Sequence, residues 1–92
     1  MRIRFDSRKN ERNIRDRGLS FECVAEFDFE QALVFVDDRR DYGEVRYVGI
    51  GPIGGRLHVL CFTETNDGIR VVSLRKANAR EVTRYAKVQA TR

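Results

Sequence analysis

A chain of 92 residues with 41% hydrophobic and 35% charged side chains is sized for one domain spanning residues 1–92, which excludes a multidomain enzyme and a disordered polyelectrolyte. Its 18 basic against 14 acidic residues give a net charge of +4, a balance that attracts anions and supports salt-sensitive binding of nucleic acid. No apolar run reaches the ~18–20 residues that cross a bilayer, and "MRIRFDSRKNERN" lacks the apolar segment of a secretory signal, so a cytoplasmic protein without membrane association is expected.

"MRIRF" alternates Ile3 and Phe5 with Arg2 and Arg4, the pattern of a half-buried strand at a sheet margin. Asp6 can cap a helix from about Ser7 to Arg17, because its carboxylate accepts from the free N–H groups of the first turn, and Gly18 stops it. That helix, "SRKNERNIRDR", offers only Ile14 as a large apolar residue. It must lie lightly on the domain or turn its polar side to a partner or ligand. Ser20 reads as the N-cap of a second helix over "FECVAEFDF", packed through Phe21, Val24 and Ala25.

From residue 32 the periodicity becomes that of strands: Ala32 to Val36, Glu44 to Ile50, Arg56 to Thr63 and Ile69 to Leu74. Gly54-Gly55 and Asn66 to Gly68 are hairpin signals, so the last three strands are expected as an antiparallel meander. Asn78 and Glu81 have the spacing of a capping box for a final helix whose Val82, Tyr85 and Ala86 can face the sheet, leaving Arg80, Arg84 and Lys87 nearer solvent.

Several motifs carry no chemistry. "GIGPIGG" lacks Gly-Lys-Ser/Thr and a following helix, so it reads as a hairpin. "DDRRDYGE" matches no calcium loop, and its arginines compete with a cation. His58 is the only histidine and is expected packed or hydrogen-bonded within a strand; Cys23 and Cys61 are expected as separate buried thiols. What remains is Arg, Lys, Glu and Tyr, concentrated in "SLRKANAREVTRY", where Arg75, Lys76, Arg80 and Arg84 surround Glu81. This is either a wet surface or a pocket for a polyanion. The palette suits RNA cleavage, in which the 2′-hydroxyl attacks its neighbouring phosphate and the enzyme supplies proton transfer and charge stabilisation with no cofactor.

Lys9 and Asn13, "GLSFE", "ALVFVDDRRDYGEVRYVGIG", "GGRLHVLCFTE" and "IRVVSLRKANAREVTRY", taken in this order, resemble the BrnT family of toxins of bacterial type II toxin–antitoxin pairs over nearly the whole chain. The resemblance implies an α+β, RelE-like fold: an antiparallel β-sheet meander with two N-terminal helices and one C-terminal helix. It implies an endoribonuclease that inhibits translation, with RNA as substrate. Its partner would be a BrnA-like antitoxin, through which it reaches operator DNA only indirectly, as a dimer or a heterotetramer with the antitoxin. Carried over by position, the polar set is Glu44, Arg46, Arg75, Lys76, Glu81 and Tyr85. Arg75 and Lys76, with Arg46, would grip the scissile phosphate, Glu81 would act as base, and Tyr85 or a cation would donate to the leaving oxygen. The family's Trp-Asp-Pro and Lys-His-Gly are here "FDS" and "DRG", so Arg17 stands where relatives carry a histidine. The polar first helix is expected to meet the antitoxin, since so few apolar residues leave it poorly anchored alone. The alternative function is a non-catalytic RNA-binding or antitoxin-scaffolding module acting as operon co-repressor.

Overall fold

A computed structural model describes residues 1–91. The elements run β1 (Arg2–Phe5), α1 (Ser7–Arg17), a 3-10 helix (Phe21–Glu26), β2 (Leu33–Val36), β3 (Tyr47–Ile53), β4 (Arg56–Thr65), β5 (Gly68–Lys76) and α2 (Ala79–Ala90). One five-stranded sheet, in the order β1-β5-β4-β3-β2, holds all the strands. Strands β2 to β5 form the antiparallel meander, in which tight turns at Gly54-Gly55 and Asn66-Asp67 join the last three, and β1 adds to β5 in parallel at the margin. Gly54 takes φ 60°, a value that glycine reaches without a Cβ clash.

Alternation along β4 sends successive side chains to opposite faces and creates two cores. On one face Leu60, Phe62, Val71 and Leu74 pack beneath Phe21 and Val24 of the 3-10 helix and Phe27 just beyond its end. On the other, Ile50, Val59 and Ala77 pack with Leu33, Phe35 and Tyr85, and α2 covers them. Complete burial of a side chain such as Leu60 or Phe21 stabilises the fold by about 1.5–3 kcal/mol.

Three expectations need correction. The second N-terminal helix is 3-10 and ends at Glu26, because the chain must turn at Phe27 and Phe29 to fit those rings against each other and Phe62. Strand β3 starts at Tyr47, since Glu44 to Arg46 belong to a loop closed by the Asp37 carboxylate. It continues to Ile53 through Pro52, which is tolerated because the β2 pairing does not extend past Leu33, opposite Ile50. On α2, Val82 is 44% exposed and Ala86 is exposed, while Glu81, Tyr85, Val88 and Gln89 turn inward. Arg75 draws Glu81 in, and the Gln31 carbonyl accepts from Tyr85 and Gln89, which together set the roll of the helix.

The anchoring of α1 has a cause outside hydrophobic periodicity. Asp6 caps it as expected, accepting from the N–H groups of Arg8 and Lys9, and Gly18 ends it at φ 69°. Ile14 is 46% exposed and holds little. The helix is fixed instead by Asn13, its one buried residue. Strand β1 stops at Phe5, opposite Val71, so beyond that point β5 has lost its neighbour. The Asn13 amide substitutes for it: Nδ2 donates to the Leu74 and Leu19 carbonyls at 2.9 Å each, and Oδ1 accepts from the Leu74 N–H at 3.5 Å. Asn10 adds a bond from the Phe21 N–H at 2.8 Å. Among the described residues no helix is long and apolar enough to cross a membrane.

Candidate active site

The α2 face of the sheet does not close over its whole area. Between α2, the 37–46 loop and the exposed parts of β3, β4 and β5 lies a hollow of about 520 Å³. Val48, Val59, Cys61 and Ser73 contribute to its lining from the strands. Four guanidinium groups surround it: Arg39 and Arg46 from the loop, Arg75 from β5 and Arg84 from α2.

Two of these cations are neutralised in place. Arg75 meets Glu81 two-pronged, Nη1 to Oε1 and Nη2 to Oε2, both 2.7 Å. The same carboxylate closes the capping box, accepting from the Asn78 N–H at 2.9 Å while Asn78 Oδ1 accepts from the Glu81 N–H at 2.9 Å. The Arg75 guanidinium beside it holds the Glu81 carboxyl below its ordinary range, so Glu81 is ionised at neutral pH. Arg39 is likewise bound through Nε and Nη2 to the two oxygens of Asp37, 2.8 Å each. Asp37 is buried and also accepts from Tyr42 Oη at 3.1 Å; the Arg39 bonds push its carboxyl far below the usual range.

The other two cations are held by aromatic rings. Arg46 stacks on Tyr42, its guanidinium carbon 4.1 Å from the ring centroid, and Arg84 lies 4.4 Å from the centroid of Phe35. Glu44 Oε2 lies 3.5 Å from Arg46 Nε, within ion-pair range, yet that buried nitrogen makes no hydrogen bond. Glu44 is held more closely by Arg70, at 2.7 Å. Aromatic stacking fixes a guanidinium without occupying its donors, so Arg46 and Arg84 retain N–H groups for an incoming anion.

Of the residues singled out in the sequence, Arg46, Arg75 and Glu81 meet around the hollow. Lys76 does not: it follows Arg75 on β5, lies opposite His58, and alternation turns it to the other face. Tyr85 sits one turn beyond Glu81, where its hydroxyl donates to the Gln31 carbonyl at 2.7 Å and its ring packs on the second core. Glu44 flanks Arg46 from outside, in a neighbouring depression with Arg70. Arg84, one of the cations that the sequence gathers around Glu81, joins the hollow from its i+3 position, whereas Arg39, Asp37 and Tyr42 lie outside the set that the sequence singles out. In the loop, the acid–base alternation of "DDRRDYGE", unfit for calcium, lets Asp37 fold the segment back on itself through Arg39 and Tyr42. His58 is buried as expected, with Nδ1 2.8 Å from the Arg56 carbonyl oxygen, and Cys23 and Cys61 are separate thiols as expected but half-buried, not buried. Partial burial raises the Cys61 thiol above its ordinary pKa.

The model of the family described as the ribonuclease toxin, BrnT, of type II toxin-antitoxin systems matches residues 5–81. The 1.1 Å crystal structure of the Brucella abortus ribonuclease toxin, BrnT, is similar at 30% sequence identity and a TM-score of 0.65, over 85% of this chain and 97% of that one. No curated protein matches the chain. The family match runs from the last residue of β1 to Glu81, and so includes the 37–46 loop, β5 and the start of α2 that frame the hollow. The chain belongs to the BrnT family of ribonuclease toxins of type II toxin–antitoxin systems.

Proposed function

We propose that this protein is an endoribonuclease that cleaves RNA at the Arg75–Glu81 hollow without a metal ion, inhibiting translation in the cytoplasm until a BrnA-like antitoxin masks it. The observation that carries the reading is the convergence of four guanidinium groups on one hollow that also contains an ionised carboxylate, in a chain of the ribonuclease toxin family.

The reaction asks three things of the site: a group to take the 2′-hydroxyl proton, cations to stabilise the charged phosphorane, and a donor for the departing 5′-oxygen. Arg46 and Arg84 hold the entering phosphate with the donors that their aromatic partners leave unused. That phosphate then competes with Glu81 for Arg75. As Arg75 turns toward it, Glu81 loses the partner that depresses its pKa and becomes a stronger base where the 2′-hydroxyl arrives. Attack by the 2′-oxygen on phosphorus forms the 2′,3′-cyclic phosphate, breaks the bond to the 5′-oxygen, and leaves a 5′-hydroxyl end. Tyr42, which lines the hollow and whose hydroxyl bonds Asp37 there, is better placed than Tyr85 to return the proton. Lys76 and Tyr85 fall outside the reacting set; Tyr85 positions α2.

The test is cleavage of RNA by the purified protein in excess chelator. Products ending in cyclic phosphate are expected, and Arg75→Ala is expected to lose at least ~10²-fold in rate, as when one stabilising contact to a developing anion is removed. Retarded RNA with no products at any enzyme concentration would overturn the reading in favour of a non-catalytic RNA-binding or co-repressor module. In a bacterial host, induction is expected to arrest growth and co-expression of the neighbouring antitoxin gene to relieve it.

A further inference from the structure

Beside the hollow lies a smaller groove of about 250 Å³ between α1 and β5. Lys9, Arg12, Asp16 and Arg17 line it from the helix. Arg46, Val72 and Ser73 line both cavities, so the two adjoin across that shared wall. We propose that this groove is a subsite for single-stranded RNA flanking the scissile phosphate, with Arg12 and Arg17 holding backbone phosphates; the proposal rests on the reading of the hollow as the cleavage site.

Residues 9, 13 and 17 fall one turn apart on a single helical face, and 12 and 16 lie beside them. Asn13, at the middle of that face, is buried and bonded to the edge of β5, which fixes the roll of the helix and so the side on which Lys9 and Arg17 emerge, one turn before and one turn after the anchor. The row from Lys9 to Arg17 is ~12 Å long at the α-helical rise, enough to follow a nucleotide backbone. Among the described residues no carboxylate lies within ion-pair distance of Lys9, Arg12 or Arg17, and Asp16 is approached only by Arg15, at 3.8 Å. An ordinary solvated helix face distributes its cations among carboxylates at i+3 and i+4. Here Lys9, Arg12 and Arg17 line the groove while Arg8 and Arg15 do not, Asp16 at i+4 from Arg12 stands among them without pairing to it, and Arg46 continues the line into the hollow. A charged groove that tracks the backbone is how proteins hold single strands with little sequence preference.

The anchoring through Asn10 and Asn13 also removes the reason for assigning this helix to the antitoxin, which was its supposed lack of attachment.

The test compares the wild-type protein with Arg12→Ala/Arg17→Ala on two substrates: an eight-nucleotide RNA and a dinucleoside monophosphate, which has a scissile phosphate and no flanking ones. Both side chains are exposed, so an unchanged melting temperature is expected. The double variant is expected to lose at least ~10-fold in kcat/KM on the octanucleotide and nothing on the dinucleoside. Binding of a 2′-O-methyl octanucleotide should show a slope of log K against log salt shallower by about 1.4, at ~0.7 for each phosphate contact on a single strand. Equal losses on both substrates, or an unchanged salt slope, would overturn the subsite while leaving the cleavage site intact. If the wild-type protein cleaves neither substrate, the cleavage reading fails and the salt slope alone decides whether the groove holds RNA. An effect of the two substitutions only on capture of the co-expressed antitoxin would assign the face to the protein partner instead.

Discussion

The two helices, α2 beside the hollow and α1 beside the adjoining groove, are fastened to the sheet by opposite means. Helix α2 lies across a face, packing Tyr85 onto the second core and neutralising its own cleft charge by pairing Glu81 with Arg75. Helix α1 stands at the sheet's edge, held by an asparagine that completes β5 where β1 has run out. The difference shows that a helix needs no apolar stripe if a side-chain amide can take over a strand's unused backbone groups. Freed from packing, the rest of α1 can be charged throughout.

The largest stability effect should come from the polar anchor. Asn13→Ala leaves the Leu74 and Leu19 carbonyls without that partner, and a buried polar group left unsatisfied costs about 1–3 kcal/mol. Urea denaturation should therefore show a loss of about 3 kcal/mol for the pair; a neutral substitution would mean that α1 is held by something else. Next comes Glu81→Gln, which removes a two-pronged charged bond and is expected to cost about 1.5–3 kcal/mol at neutral pH. Because the folded-state pKa of Glu81 lies below its ordinary 4.5, the carboxylate's contribution is present above that value and is lost as pH falls through the folded pKa. The gap between wild type and variant should shrink below about pH 4.5, and an equal gap at pH 7 and pH 3 would contradict the ionic account. Smallest is Tyr85→Phe, which deletes one bond to the Gln31 carbonyl at a cost of about 0.5–1.5 kcal/mol and should leave the cleavage rate nearly unchanged if Tyr85 only positions α2.

What was legible in the sequence was whatever local rules decide. Asp6 and Gly18 bracket α1 where capping and positive φ require, and the Asn78–Glu81 box marks the start of α2. Period-two patterning found every strand, although it misplaced the start of β3, because the loop's closure depends on Asp37 reaching Arg39 and Tyr42. Polar anchoring left no comparable trace: Asn13 looks like any solvated helix residue until β1's end leaves Leu74 open beside it. The same limit applies to the site. Arg75 and Glu81 were readable as a pair near a strand–helix junction, but alternation on β5 separates Arg75 from Lys76, and the roll of α2 that sets the exposed Arg84 over Phe35 is fixed by contacts with Gln31, far away in sequence.

The parallel pairing of β1 with β5 also fixes when the enzyme can exist. The ladder joins Arg2–Phe5 to Gly68–Val71, and the Asn13 clamp reaches Leu74, 61 residues later, so β1 and α1 wait for β5 to be synthesised before they can dock. A nascent chain that ends before Arg84 has no complete hollow, so whatever that hollow does must wait until synthesis has passed α2.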